Sequence, residues 1–244
     1  MKRLAFTFLA LVVMTLGAHA QTVDLGQLIP NGGATATGRI IQMAAILTVL
    51  SVAPGLLIMV TSFTRFIVAL SFLRSGLGWQ STPAHLVLIS LSLFMTFFVM
   101  APTFDRAWQN GLKPMMDNTI SQQEAYVAVT QPFREFMLGQ VRDKDLNLFE
   151  DLSKGNFQIK DRSTIDLRLL IPAFMISELR RGFEIGFLIV LPFLVIDMIV
   201  ATLTMSMGMM MLPPSILSLP FKVLFFVLID GWNLLASGLV RSFS

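Results

Sequence analysis

Five charged residues stand inside otherwise apolar stretches. Arg65 lies in Thr61-Ser-Phe-Thr-Arg65-Phe66, and Asp197 follows Leu191-Pro-Phe-Leu-Val-Ile196. Lys222 lies in Leu219-Pro-Phe-Lys222, and Asp230 falls eight residues later. Glu178 opens a denser group, Glu178-Leu-Arg-Arg181-Gly-Phe-Glu184. A charge at mid-bilayer costs about 2.5–3.5 kcal/mol even on insertion scales. Helices carrying such charges are hard to tolerate against lipid, but they are tolerable where they pack on protein. The sequence therefore points to helices buried in an assembly. On a helix Glu178 faces Arg181 at i+3 and Arg180 faces Glu184 at i+4, which suits a solvated interface face. Alternatively one of these charges pairs with another segment. Lys222 needs a partner, and Glu178 is the expected one, forming an ion pair within or between subunits. Arg65 and Asp197 are read as further structural ion-pair residues. Asp197 taken alone also suits a proton-relay carboxylate.

A second group is Met205-Ser-Met-Gly-Met-Met-Met-Leu-Pro-Pro214. Six of the 16 methionines fall between Met198 and Met211. Methionine is flexible and polarizable, so it re-packs around varied surfaces. Several copies meeting at an axis would turn this cluster into a deformable ring. The plainer reading is core filler near a helix end. Composition alone leaves both open.

Other chemistries lack the residues they need. There is no cysteine, so disulfides, thiolate nucleophiles and Cys-based metal sites are excluded. The histidines are His19 and His85; a lone His at the start of an apolar run suits an interfacial or capping role. No Walker loop, zincin helix or nucleophile elbow occurs. The sequence supports no enzyme, cofactor or metal. The net charge is +3, of which Lys2 and Arg3 in the leader supply two. With no basic stripe elsewhere, nucleic acid is not an expected ligand.

The elements that must position these residues follow from composition. The chain has 244 residues, 55% hydrophobic and 14% charged, against roughly 25% charged in ordinary soluble domains. A membrane-associated helical protein is favoured. Residues 1–20 read as a signal peptide: Met1-Lys2-Arg3, an apolar core from Leu4 to Leu16, then Ala18-His19-Ala20 as cleavage pattern. Residues 21–39 read as a flexible N-terminal segment. Residues 40–104 read as a first helical hairpin, containing apolar runs Met43–Leu73 and Ala84–Ala101. Residues 169–244 read as a second, with runs from Leu169 to about Leu212 and from Leu219 to Val240. Pro213, Pro214 and Pro220 are read as its turn.

Between them, residues 105–168 hold 19 of the chain's 33 charged residues. This segment reads as helical, with a capping box at Ser121…Glu124. An exported N-terminus followed by two crossings puts it on the outer, extracytoplasmic side, and its balanced charge suits that side. The fold expected is all-α: two long helical hairpins with an intervening helical extracytoplasmic segment, packed in a helical hetero-oligomer.

Several of these stretches resemble the FliP family. Ser51-Val-Ala-Pro-Gly-Leu-Leu-Ile-Met-Val-Thr-Ser-Phe-Thr-Arg65 is similar to its first-hairpin signature. Pro172-Ala-Phe-Met-Ile-Ser-Glu178-Leu, Pro192-Phe-Leu-Val-Ile-Asp197, Met209-Met210-Met211 and Leu219-Pro-Phe-Lys222…Asp230-Gly-Trp232 are similar to its C-terminal signatures. The resemblance spans about residues 40 to 240. It implies a core subunit of the flagellar type III protein export gate, a multi-pass protein of the bacterial inner membrane at the flagellar basal body. It further implies five copies joined by FliQ and FliR, with FlhB and FlhA nearby, around a pore for unfolded flagellar proteins. Met209, Met210 and Met211 match the family's methionine ring, which implies that they gasket the closed pore. The alternative function is a small-solute or proton-coupled membrane transporter using Asp197 or Arg65. Transporters usually carry more spans and internal repeats about a midplane site.

Overall fold

A computed structural model describes residues 58–79, 85–153, 165–207 and 213–243, with scattered positions between 41 and 55. The signal peptide, the segment 21–39 and Met209, Met210 and Met211 lie outside the described residues. The chain divides into two units, 1–52 and 53–244. In the first, the described positions are helical, and Thr48 Oγ1 donates to the Ala44 carbonyl at 2.8 Å.

The second unit is all helical where it is described, with no strand among the described residues. Its helices are α1 (Phe63–Gly76), α2 (His85–Ala107), α3 (Lys113–Met116), α4 (Gln122–Gln140), α5 (Asp143–Leu152), α6 (Leu167–Ser206), α7 (Pro214–Leu228) and α8 (Gly231–Arg241). Local chemistry accounts for several starts. At α4 the capping box forms in full: the Ser121 N–H donates to Glu124 Oε2 at 2.8 Å and the Glu124 N–H to Ser121 Oγ at 3.3 Å. Asp166 caps α6 by accepting from the Arg168 N–H at 2.8 Å. Pro214 opens α7, where a missing N–H costs nothing.

The apolar helix begun by α2 does not stop at residue 104. It continues through a π-helical turn, Trp108–Leu112, and on to Met116, a run of 32 residues. Gly111 explains the turn's place against α4. A Cβ there would stand 3.0 Å from the Val129 nitrogen, so only glycine lets the two backbones approach this closely.

Helix α6 runs for 40 residues as one piece, although Pro172 and Pro192 lie within it. Pro220 is inside α7 and not in the turn before it. The fourth apolar stretch is in turn not one helix. α7 and α8 meet at a bend of 66°. Asp230 sits there in the left-handed region at φ 51, and a Cβ on Gly231 would run into the Phe226 ring. Asp-Gly is a turn dipeptide, and here it interrupts an apolar run.

The helices pack around two cores. Phe66, Leu70 and Leu73 of α1 meet Leu88 and Met95 of α2, Phe193 of α6, Phe226 of α7 and Leu239 of α8. Met137 of α4 and Leu146 of α5 meet Leu170 and Phe174 of α6. Thus α6 contributes to both cores. The 32-residue run and α6 are each long and apolar enough to cross a membrane, and the bent pair α7–α8 is a third candidate.

Candidate functional site

Arg65 and Glu178 meet where the two cores join. Their side chains are 1% and 0% exposed. The Arg65 Nε–H donates to Glu178 Oε2 at 2.9 Å, and Nη2 donates to Oε1, so the pair is bidentate. The other guanidinium donors are also used. Nη1 reaches the Ser242 carbonyl at 2.7 Å and Ser242 Oγ at 3.0 Å, and Nη2 reaches Gln140 Oε1 at 3.0 Å. Arg65 Cζ stands 3.6 Å from the centroid of the Phe243 ring, within cation–π range. Gln140 Nε2 donates to the Phe243 carbonyl at 3.3 Å. One guanidinium therefore ties α1 and α6 to the end of α4 and to the residues after α8.

Lys222 has a different partner from the one expected. Its Nζ donates to Asp197 Oδ2 at 2.6 Å and to the Gly76 carbonyl at 3.0 Å. The Ser218 hydroxyl donates to Asp197 Oδ1. Within the chain Glu178 and Lys222 do not pair with each other and take part in two other pairs, Arg65–Glu178 and Asp197–Lys222. The antiparallel return of α7 along α6 sets this register. It brings Lys222 level with Asp197, while Glu178 lies more than five turns back along α6. Glu178 does not bond Arg181 either, whereas Arg180 and Glu184 do pair at i+4, at 2.8 Å.

A third cluster joins α5 to α6. Arg142 Nε and Nη2 donate to Asp145 Oδ2 and Oδ1 at 3.0 and 2.9 Å. The Ser177 hydroxyl donates to Asp145 Oδ2 at 2.6 Å. The Arg142 hydrogen bond, reinforced by Ser177, holds the Asp145 carboxyl below the usual carboxylate range although burial opposes this. Ser177 and Glu178 are adjacent, so one turn of α6 anchors both α5 and α1.

Linear spacing had not singled out Gln140, Ser242 and Phe243, which are distant in the chain. Ser218 was legible in principle, since it stands four residues before Lys222 on the same face of α7.

The polar anchors contrast with the outer surface. Phe94, Phe97 and Phe98 of α2, Phe183 and Phe187 of α6, and Phe221 of α7 are all exposed. Between α6 and α7 an apolar groove of about 490 Å³ is lined by Ile199, Leu203, Met207, Leu217 and Phe221. The run Met209-Met210-Met211 follows Met207 after one glycine, Gly208.

Residues 46–239 match the FliP family. The chain belongs to that family. Among its relatives is the flagellar biosynthetic protein FliP of Rhizobium meliloti, 58% identical over 246 residues that cover 100% of both chains. FliP of Caulobacter vibrioides is 50% identical over 238 residues, 96% of this chain and 87% of the relative. FliP of Bacillus subtilis is 52% identical over 203 residues, 83% of this chain and 91% of the relative. The matched span of this FliP-family chain contains Arg65, Glu178, Asp197 and Lys222, so the buried Arg65–Glu178 pair and the half-buried Asp197–Lys222 pair both fall inside it.

Proposed function

We propose that this FliP-family chain is a core subunit of the flagellar type III protein export gate. Several copies, five by the family resemblance, enclose the pore through which unfolded flagellar proteins are secreted. FliQ, FliR, FlhB and FlhA are its neighbours in the inner membrane at the basal body. Residues 1–20 are removed, and residues 105–168 lie on the outer side.

The observation that carries this reading is α6. Its 40 residues span about 60 Å at ~1.5 Å per residue, twice the ~30 Å of a hydrocarbon core. Only 11% of its most apolar window is buried within the chain. Lipid covers only part of such a length; the N-terminal part packs on α4 and α5 of the same chain, and the exposed apolar side chains farther along suit neighbouring protein. The buried Arg65–Glu178 pair and the half-buried Lys222–Asp197 pair suit helices that sit inside an assembly and not in bare lipid. The run Met209, Met210 and Met211 would close the pore at rest.

Deletion and complementation test the role. Cells lacking the chain should secrete no filament protein, and the intact gene should restore secretion. Native mass spectrometry of the complex extracted in mild detergent should find several copies together with membrane partners. A monomer or dimer overturns the reading.

A further inference from the structure

The short helix α8 is fastened at both ends. At its start, Asp230 and Gly231 make the 66° bend from α7, with Asp230 in the left-handed region at φ 51. A few element-terminal residues of this kind are what absorb a hinge's change in backbone angles. Of the 11 residues of α8, Gly231, Leu235 and Leu239 are buried, while Trp232 and Leu234 are exposed. At its end come Ser242 and Phe243, both half-buried.

These two residues reach three other helices. All the N–H donors of the Arg65 guanidinium are used, and Ser242 takes both on Nη1, through its carbonyl at 2.7 Å and its Oγ at 3.0 Å. The rest go to Glu178 and Gln140. The Phe243 carbonyl accepts from Gln140 Nε2 at 3.3 Å. The Phe243 ring lies over the Arg65 guanidinium, with its centroid 5.4 Å from that of Phe66 in α1 and 6.0 Å from that of Phe136 in α4. Phe136 in turn meets Phe174 of α6 at 5.9 Å. Without Ser242 and Phe243, Arg65 keeps two unmet donors and an uncovered face in a site that is otherwise closed to water. A buried donor left unmet costs its full desolvation, so the site favours the docked end of α8.

We infer that α8 with Ser242 and Phe243 is a hinged strap, with Asp230-Gly231 as its hinge and the Arg65–Gln140 site as its catch. Closing the strap completes the surroundings of the Arg65–Glu178 pair and fixes the end of α4 against α1. Ser242 stands 177 residues after Arg65, so the catch stays empty until the last hairpin has been made and has folded back. On the reading of the chain as a gate subunit, an unlatched chain does not join the other copies.

The chain has no cysteine of its own, so single reporters read the strap directly. The full chain, co-expressed with its membrane partners, is given Leu239→Cys in α8 or Leu88→Cys in α2, two buried positions of one core. Maleimide should label both slowly. Adding Phe243→Ala, or ending the chain after Arg241, should speed labelling at 239 about tenfold or more and leave position 88 within about twofold. Phe243→Tyr keeps the ring and should leave both rates unchanged. The yield of multi-copy complex should fall with Phe243→Ala and recover with Phe243→Tyr. Unchanged labelling at 239 in both weakened chains overturns the strap. Equal acceleration at 88 and 239 overturns it too, because Phe243 would then hold the core as a whole. Faster labelling at 239 alone with an undiminished yield of complex overturns the requirement for assembly. A wild-type chain that is a monomer or dimer removes the gate reading, and labelling at 239 still decides the strap.

Discussion

Arg65 and Glu178 are 113 residues apart in sequence and form a bidentate pair from which water is excluded. Removing one partner of a buried pair leaves an uncompensated charge and costs about 3–5 kcal/mol. Arg65→Ala also strands acceptors at Gln140 and Ser242. Arg65→Ala and Glu178→Ala should each abolish a cooperative thermal transition in detergent or lower its midpoint strongly. Arg65→Met with Glu178→Met should be more stable than either alanine variant. Arg65→Lys should rescue little, because an ammonium cannot reproduce the fork.

Glycines on α6 set how closely α1 approaches it. A Cβ on Gly186 would stand 2.6 Å from both Cγ and Cδ2 of Phe72. Phe72 is itself packed edge-on against Phe183 at 5.2 Å, so its ring has little room to yield. Gly186→Ala should destabilise by about 1–3 kcal/mol. Gly139 in α4 is the control, since nothing lies within 4 Å of its Cβ position. Gly139→Ala should raise stability by up to about 1 kcal/mol through the gain in helix preference. Thermal midpoints of the two variants, measured side by side, decide this.

The Lys222 partner separates the structure from the sequence expectation. Lys222→Glu should disrupt packing of α7 on α6, and Glu178→Lys should not repair it. Asp197→Lys added to Lys222→Glu should restore assembly in part, since those two side chains are 2.6 Å apart. Recovery is read as yield of intact complex in mild detergent. Rescue by Glu178→Lys alone would contradict the observed pairing.

That contrast shows where linear spacing stops being informative. Long apolar runs located α1, α2 and α6 because burial in an apolar medium is written in composition. Ser121…Glu124 and Arg180…Glu184 were legible because their partners lie within one turn. The partners of Glu178 and Lys222 were not, because helix register is set by packing. Arg181 and Arg65 offer Glu178 the same charge, and only the approach of α1 to α6 decides between them. The π-helical turn after α2 depends likewise on how closely α4 comes to Gly111. The bend at Asp230-Gly231 did have a local signal, but the apolar run from Leu219 to Val240 outweighed it.

Acidification should loosen α5. The Asp145 carboxyl is held below its ordinary value by Arg142 and Ser177. A depressed carboxyl contributes stability that is fully present above its unfolded value, about 3.9. That contribution is lost as pH falls through the lower, folded value. Amide exchange in Asp143–Leu152 should therefore accelerate below about pH 4. Asp145→Asn should raise exchange at neutral pH and flatten the acid dependence. A wild-type profile in that variant would show that the cluster does not hold α5.

The methionine prediction turns on what truncation does to an assembled complex. Met209, Met210 and Met211 immediately precede Leu212 and Pro213-Pro214, the start of α7. Suppose several copies of each converge on the pore axis. Their side chains have three rotatable bonds and no strong polar group, so they can seal against ions and still yield to a passing polypeptide. Replacing all three with alanine removes that bulk at a free surface. The complex should assemble, leak small ions or dyes in reconstituted vesicles, and still export flagellar proteins in part. Core filler behaves otherwise. Each buried methionine truncated to alanine then leaves a cavity costing about 2–5 kcal/mol, and three together would prevent assembly. Yield of complex and dye leakage, measured on one preparation, separate the outcomes. An intact complex as ion-tight as wild type defeats the gasket, and failure to assemble favours a packing role.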